Sequence, residues 1–485
     1  MMNKKLSLKK EATLLTISKM INLLITLVTS MLLSRFRSLE EYGTYSQLSL
    51  VLNLLTTVCL LGLPSAINYF LPRTETDEEK KSFLHSFFFM NTILSVLAGV
   101  LMVVGIPLMA SYFKNQGIYG FYYFAALMPW AKMAIQQRSN LLVAAGKTKR
   151  LIVYTLLESL SLLVIILLTV VLKRDFGFYM LSFVLVEVVF ALLVYFEGIA
   201  ISGTIKPKLD FKLMGSIMVF ALPLGLSDVV NVVTKEVDKL MIGGFLDTES
   251  LAIYTNAARE ISLTVISTSF IAVMMPKISR MIKENRKEDA IETWKRTTSF
   301  TYIFMCFGVA SLVVFAPWVI SILYSERYLP GVNVFRIYAL ILLWRTAFFG
   351  TMLSLTGETT KILFCSLLTM VLNVFGNIGL YHLLGFTGPA WSTFISIGFV
   401  NILQLILTSV VLKYPFAKLF PWLDILKISA INLIMGAGVY FLLKWINPGT
   451  DLLGCIIAVG IGIVWIGIYL GIIMRRRIIR QWKEE

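Results

Sequence analysis

The stretch SKMINLLITLVTSMLLSRFRSLEEYGTY (residues 18–45) joins an apolar run to a short charged turn, and it returns later as SDVVNVVTKEVDKLMIGGFLDTESLAIY (residues 227–254). At one fixed offset the two stretches share Ser18 and Ser227, Asn22 and Asn231, Phe36 and Phe245, Glu40 and Glu249, and Tyr45 and Tyr254. LLVAAGKTKRL (residues 141–151) and MLSLTGETTKI (residues 352–362) match at nearly the same offset. These collinear matches predict an internal duplication.

Apolar segments follow one another along the whole chain. Each is close to the roughly 20 residues that an α-helix needs to cross about 30 Å of hydrocarbon. We therefore predict an all-α polytopic membrane protein with fourteen transmembrane helices. The predicted spans are residues 11–34, 44–70, 83–110, 119–145, 151–172, 177–200, 215–243, 250–275, 298–324, 333–355, 361–384, 388–412, 424–446 and 452–474.

Basic residues are concentrated in every second connection. One set of connections and termini holds 29 of the 44 Lys and Arg residues, and the other set holds seven. Because cytoplasmic loops carry the excess of Lys and Arg, both termini are predicted to be cytoplasmic, which requires an even number of spans. The expected location is the plasma membrane or the inner membrane.

The composition argues against several classes of function. The chain is 57% hydrophobic and 15% charged, whereas a soluble domain is about 25% charged. Its formal net charge of +16 lies mainly in short cytoplasmic loops, so contact with anionic lipids explains it better than a nucleic-acid partner. The four cysteines lie inside predicted spans and show no disulfide or metal-ligand spacing. We expect no metal and no cofactor.

The duplication predicts two pseudo-symmetric six-helix lobes in one orientation, followed by two further helices. Parallel repeats of this kind occur in transporters whose halves rock around a central site. The predicted domains are residues 1–205 (spans one to six), residues 206–415 (spans seven to twelve), and residues 416–485 (the last two spans and a basic cytoplasmic tail).

Polar stripes run along predicted spans one and seven. Ionisable groups at membrane depth cost at least about 2.5–3.5 kcal/mol each, so they usually face water or a partner. The stripes contain Lys19 and Asn22 in span one, and Asp228, Asn231, Lys235, Asp238 and Lys239 in span seven. Matched stripes predict a central cavity lined by both spans. The alternative is internal pairing within span seven, which would neutralise a buried helix.

Other predicted spans also contain ionisable residues, namely Lys132, Arg138, Glu158, Glu187, Arg259, Glu260 and Arg345. Cations at membrane depth slightly outnumber acids, which favours an anionic substrate, because guanidinium and ammonium groups hold pyrophosphate well. Pairing between helices is the alternative explanation. Glu158, Glu187 and Asp228 are also candidates for coupling transport to H⁺ or Na⁺.

Several short motifs carry a family resemblance. MIGGF followed by an acidic turn and IYTNA, the stretch LSRFRSLEEYGTYSQ, and the turns GKTKR and GETTK resemble the polysaccharide-exporter branch of the multidrug/oligosaccharidyl-lipid/polysaccharide (MOP) exporter superfamily. The resemblance implies a flippase. Such a protein carries a polyprenyl-pyrophosphate-linked oligosaccharide (an O-antigen, capsule or exopolysaccharide repeat unit) from the inner to the outer leaflet by alternating access. Contact with glycan polymerase machinery is a further expectation.

Two other transport functions stay open at this point. A cation-coupled multidrug antiporter of the same superfamily would prefer an acidic cavity, and a flippase for a lipid II-type peptidoglycan precursor would share the carrier chemistry. An enzyme acting on polyprenyl-linked sugars would need an external catalytic surface, whereas the predicted external connections are all short. The longest connection, residues 276–297, is predicted to be a basic amphipathic connector in the cytoplasm.

Overall fold

The computed structural model describes residues 2–203, 209–259 and 263–474. Within these ranges the chain forms helices and no strand, which confirms the predicted all-α class. The chain divides into two compact units, Met1–Ala252 and Ile253–Glu485. The division falls inside one helix, Thr248–Ala257.

The first unit is built from long helices joined by short turns. Its helices are α1 (Met2–Phe36), α2 (Leu39–Leu60), α3 (Leu63–Phe70), α4 (Asp77–Val104), α5 (Ile106–Tyr112), α6 (Tyr122–Ala144), α7 (Thr148–Val171), α8 (Phe176–Ser202), α9 (Phe211–Phe245) and the first half of α10 (Thr248–Ala257). Short 3₁₀ turns occupy Leu71–Arg73 and Gln116–Phe121.

Polar residues in the turns set where these helices begin. Ser38 accepts a hydrogen bond from the Glu41 backbone N–H, and the Glu41 carboxylate accepts one from the Ser38 N–H, both at 3.0 Å. Asp175 and Asp210 cap α8 and α9 in a simpler way, each by accepting from a backbone N–H. Such caps satisfy N–H groups that have no partner inside the helix. The charged turns that interrupt the apolar runs therefore act as helix starts.

Helix α9 packs against α2 and α3 through an unusually close backbone contact. A Cβ atom at Gly225 would lie 2.3 Å from the Leu61 carbonyl carbon, and Gly62 has a φ of +75°. Only glycine fits such an approach and such a backbone conformation. By its contacts, α9 belongs to the first unit, whereas the predicted lobe boundary at residues 205/206 follows the sequence repeat. The lobe boundaries stay a prediction.

The second unit continues from α10. Its helices are α11 (Thr264–Lys283), α12 (Lys287–Val314), α13 (Ala316–Tyr324), α14 (Val332–Trp344), α15 (Thr351–Leu355), α16 (Thr359–Leu384), α17 (Gly388–Leu412), α18 (Phe416–Leu419), α19 (Trp422–Ile446) and α20 (Leu452–Ile468). Shorter turns occupy Glu326–Gly331, Gly385–Thr387 and Tyr469–Met474. Helix α12 packs against α11, α14 and α19, and α16 packs along α17. Buried Trp294, Met352, Leu405 and Leu419 form part of the core.

The chain is a multi-pass membrane protein. In the ranges described, nine segments are long and apolar enough to cross a membrane, or ten if the bent pair Leu39–Leu60 and Leu63–Arg73 counts as one span. One of these segments, Thr359–Leu412, contains both helices of the hairpin formed by α16 and α17. Predicted span ten is divided between α14 and α15. The exact number of fourteen stays a prediction.

The order of helices follows the spacing of the sequence matches. Helix α1 ends at Phe36 and α9 ends at Phe245, 209 residues later. Helix α4 begins at Asp77 and α12 begins at Lys287, 210 residues later. The correspondence also has a local exception, because α6 is continuous while the matching part of the second unit is broken into α14 and α15.

The predicted amphipathic connector at residues 276–297 is largely helical. Helix α11 runs to Lys283 and α12 begins at Lys287. Lys295 and Arg296 both donate to the Glu292 carboxylate, at 3.2 and 3.3 Å. Ion pairs three and four residues apart stabilise a helix by a few tenths of a kcal/mol each. They favour extension of α12 beyond its apolar segment, which sequence hydropathy alone does not show.

Candidate functional site

Charged side chains of the first unit meet where α6, α7 and α8 pack together. Nη1 of Arg138, on α6, donates to Oε2 of Glu158, on α7, and both side chains are largely buried. The Coulomb attraction of such a pair offsets part of the cost of removing its charges from water, and removal of one partner leaves the other uncompensated. Arg138 is thus already held by a protein carboxylate. This contact matches the pairing alternative for Arg138 and leaves it less available to a substrate anion.

Glu187, on α8, lies close to this ion pair. Its side chain is 3% exposed, and its Oε2 has no hydrogen-bond partner in the described part of the chain. The charged groups of Lys132, Glu158 and Arg138 are near enough to interact electrostatically with the Glu187 carboxyl group. Because Glu158 is already paired, Glu187 is the acid in this cluster that remains available to a proton or a cation.

The two predicted residues of α1 have different surroundings. Asn22 accepts a hydrogen bond through Oδ1 from the hydroxyl group of Ser159, on α7. Ser159 is buried, so Asn22 ties α1 to α7 inside the first unit. Lys19, nearly one turn earlier, is exposed. Of the predicted stripe on span one, Lys19 is therefore the group on the accessible surface.

The polar stripe of α9 has an exposed part and a buried part. Asp228, Asn231 and Lys235 are exposed, whereas Asp238 is buried. In the ranges that the structure covers, neither Asp228 nor Lys235 forms an ion pair, so the pairing alternative does not hold for them. Lys239 donates to the Glu236 carboxylate at 2.8 Å.

Two predicted cationic residues of the second unit lie at breaks between helices. Arg259 follows the end of α10, and its neighbour Glu260 lies outside the described residues. Arg345 follows the end of α14, and the chain becomes helical again at Thr351. Irregular backbone at membrane depth is tolerated where it is buried in protein or lines a wet cavity. Arg345 therefore lies at an interruption of predicted span ten, and Arg259 lies just beyond the described end of α10, within predicted span eight.

Side chains from neighbouring helices satisfy the backbone at the Arg345 break. Nδ2 of Asn401 donates to the carbonyl oxygen of Trp344 at 3.0 Å. Nε1 of Trp294 donates to the carbonyl oxygen of Ala347 at 3.1 Å. These two donors replace helix hydrogen bonds that the break removes, so they keep the interruption in place.

Sequence reasoning missed a buried anchor at the end of α8. Glu197 is 1% exposed and accepts hydrogen bonds from Lys147 at 3.0 Å, Arg150 at 2.6 Å and Tyr154 at 2.9 Å. The signal was present, because a glutamate near the end of an apolar span faces the basic turn GKTKR. This contact fixes the turn between α6 and α7.

Neutral polar residues in α16 and α17 were also missed. Nδ2 of Asn373 donates to the Thr393 hydroxyl at 2.9 Å, and the Ser392 hydroxyl donates to the Asn373 carbonyl oxygen at 3.1 Å. Asn373 and Asn377 are both fully buried. A survey restricted to ionisable residues passes over such amides. Among the residues that the structure describes, no group of three or more His, Cys, Asp or Glu side chains is arranged to hold a metal ion.

Single cysteine replacements are expected to separate wet positions from packed ones. Without the four native cysteines, Lys19→Cys, Asp228→Cys and Lys235→Cys should react with a water-soluble thiol reagent, because these side chains are exposed within apolar spans. Asn22→Cys should react more slowly, since this position packs against α7.

The control Leu226→Cys, on the opposite side of α9 and also exposed, should stay unreactive in lipid. Uniform protection of the charged positions would contradict a wet pathway. Reaction is measured by mass shift in vesicles.

The sequence matches one known family over most of its length. Residues 32–333 match the model of a family described as polysaccharide biosynthesis protein. No curated protein sequence matches the chain.

The fold is similar to that of several solved transporters. A structure described as lipid II flippase MurJ, in an inward closed conformation, has a TM-score of 0.73 at 17% identity and covers 96% of this chain and 100% of that one. An inward-facing multidrug resistance MATE family transporter of the MOP superfamily has a TM-score of 0.63 at 16% identity, with coverages of 83% and 98%. A MOP superfamily transporter from Pyrococcus furiosus, described by the reverse polarity of its binding pocket, has a TM-score of 0.53 at 16% identity, with coverages of 84% and 96%. At these identities the similarity concerns the fold.

Proposed function

Because the chain belongs to the family of polysaccharide biosynthesis proteins, we propose that it is a flippase for a polyprenyl-pyrophosphate-linked oligosaccharide. The substrate is an O-antigen, capsule or exopolysaccharide repeat unit, which moves from the inner to the outer leaflet of the cell membrane by alternating access. Both termini lie in the cytoplasm. The reaction breaks no covalent bond, so the protein must provide a wet path for a pyrophosphate group and its sugars.

The exposed polar stripe of α9 carries this proposal. Lys235 and Asn231 are exposed within a segment that is apolar enough to span a membrane. A lysine facing lipid at that depth would cost at least about 2.5–3.5 kcal/mol on insertion scales. Water and an anionic ligand remove this cost, so the stripe supports a path along α9 for a negatively charged group.

The balance of charges distinguishes this path from the buried cluster. Arg138 and Glu158 form a buried ion pair, so Arg138 has little positive charge to offer an anionic substrate. Lys19 and Lys235 are exposed. Ammonium groups are compact point charges that suit a phosphate oxygen. We therefore assign pyrophosphate contact to these two lysines in preference to Arg138.

Two alternatives share the fold. A cation-coupled multidrug antiporter would use Asp228, the exposed acid on the same stripe, and exposed lysines would repel its cationic substrates. A flippase for a lipid II-type peptidoglycan precursor would use the same pyrophosphate contacts, so the stripe does not separate it from an oligosaccharide flippase. The two kinds of flippase must therefore differ in how they recognise the sugar-bearing part of the substrate.

A flipping assay in reconstituted vesicles tests the proposal. Vesicles contain the purified protein and a polyprenyl-pyrophosphate-linked oligosaccharide in both leaflets, and an impermeant glycosidase digests the outward-facing fraction. We expect digestion to proceed beyond that initial fraction only when the protein is present. A lipid II-type precursor and a cationic dye serve as competing substrates. Dye transport without glycan flipping would overturn the proposal in favour of the antiporter.

Glu187 is proposed to couple flipping to an H⁺ or Na⁺ gradient. Glu187→Gln removes the ionisable group while keeping its size, so the stimulation of flipping by an imposed ion gradient should be lost. Flipping without a gradient should continue, because Glu187 is buried and is not part of the exposed stripe. Glu187→Asp keeps the charge and should retain part of the stimulation. Full stimulation in Glu187→Gln would rule out this residue as the coupling group.

A further inference from the structure

A groove in the second unit combines basic side chains with an aromatic wall. It lies between α12, the turn after α17, and the start of α19, and its volume is about 450 Å³. We call it the basic groove. Its lining includes Glu292, Lys295, Arg296, Lys418, Trp422 and Asp424.

The charges in the basic groove are unevenly compensated. Lys295 and Arg296 share the single carboxylate of Glu292, at 3.2 and 3.3 Å. Asp424 accepts a hydrogen bond from the Ser299 hydroxyl at 3.1 Å. Lys418 is exposed and forms no ion pair with any residue that the structure describes. Three cations therefore face two acids, and the ammonium group of Lys418 is free to bind an anion.

The surroundings place the basic groove at the edge of the membrane. Trp422 begins α19, which is apolar enough to span a membrane. Leu423 and Leu426, in the first turns of this helix, are 71% and 67% exposed. Tryptophan is enriched where headgroups meet hydrocarbon. The positive-inside rule assigns this end of α19 to the cytoplasmic side, where anionic lipids attract basic groups.

We propose that the basic groove binds the phosphate of an anionic phospholipid in the cytoplasmic leaflet. Lys418, Lys295 and Arg296 contact the phosphate, and the acyl chains lie along the exposed leucines of α19. The adjoining apolar surface favours a lipid over a free phosphate ion, because a soluble ion would leave those leucines uncovered. The site shares no residue with the exposed stripe of α9 and does not depend on which substrate the protein transports.

Two substitutions with opposite expected effects test the site. The full chain is released from nanodiscs that contain equal amounts of phosphatidylcholine and phosphatidylglycerol, and bound lipids are counted by native mass spectrometry. Lys418→Gln should lower the ratio of bound phosphatidylglycerol to phosphatidylcholine about fivefold, the weakening expected when one basic group near an anionic surface is lost. Glu292→Gln should raise this ratio, because it frees Lys295 and Arg296 from their carboxylate.

The partly exposed pair of Lys361 and Glu358, whose charged atoms lie 2.7 Å apart in the same unit, provides matched controls. Lys361→Gln and Glu358→Gln change the net charge equally but lie outside the basic groove, so both should leave the ratio nearly unchanged. The proposal is overturned if the groove variants change the ratio no more than their controls do. It is also overturned if inorganic phosphate displaces phosphatidylglycerol better than chloride does at equal ionic strength, since the groove would then be a site for a soluble anion.

Discussion

Replacing Lys235 by alanine is expected to reduce flipping of a polyprenyl-pyrophosphate-linked oligosaccharide about ten- to a hundredfold, because a hydrogen bond to a charged group contributes roughly 1.5–3 kcal/mol. Lys235 is exposed on α9, so its removal should leave the packing of the first unit intact. Lys235→Arg should be milder, since the site mainly needs positive charge. The measurement is the initial rate of flipping in vesicles with equal amounts of protein.

Lys212, in the first turn of the same helix, supplies the matched control. It is also exposed, but it lies at the N-terminal end of α9. The Lys212→Ala variant should therefore flip the substrate at a nearly normal rate. The opposite pattern would argue against anion binding. If Lys235→Ala is fully active while Asp228→Asn abolishes transport, acids do the binding and the antiporter alternative gains support.

The membrane class and the family could be predicted because both depend on local sequence. Apolar runs must become helices in lipid, since every backbone polar group has to be satisfied within the segment. The polar turns between the runs carry the caps at Ser38, Asp175 and Asp210. The resemblance to the polysaccharide-exporter branch is confirmed by the family match over residues 32–333.

The pairing of charges was harder to predict because it depends on which helix faces meet. Arg138 and Glu158 lie on different helices, and nothing in either span identifies the other as its partner. Asn22 was assigned to a cavity from its place on a polar stripe, and its contact with Ser159 on α7 could not be predicted in that way. The pair of Glu236 and Lys239 is different, since residues three apart on a helix are neighbours. That pair could have been found from the sequence alone.

The interruption at Arg345 also depends on tertiary structure. No proline marks this break, and the surrounding segment is apolar enough to suggest a continuous span. At the break, Asn401 and Trp294 donate to backbone carbonyls that the helix leaves unpaired. These donors lie on α17 and α12, far away in sequence. A hydropathy profile therefore records one span where the chain forms two short helices.

Replacing Arg138 by alanine is expected to destabilise the protein by about 3–5 kcal/mol, because the buried carboxylate of Glu158 loses its partner. The loss should appear as a lower thermal unfolding temperature in detergent and a lower yield from membranes. Arg286→Ala is the control. This residue pairs with Asp289 at 2.8 Å on an exposed surface, and such pairs contribute only about 0–1 kcal/mol. Equal stability of Arg138→Ala and the original chain would show that the pair does not hold α6 to α7.

The double variant Arg138→Met, Glu158→Leu separates structure from transport. Replacing a buried ion pair by apolar residues of similar volume is often neutral or stabilising by about 1–4 kcal/mol, so the double variant should be more stable than Arg138→Ala. If the pair only joins α6 to α7, the double variant should flip the lipid-linked oligosaccharide at a nearly normal rate. A folded double variant that fails to flip would instead assign Arg138 to the substrate path, with Glu158 as the carboxylate that the pyrophosphate displaces.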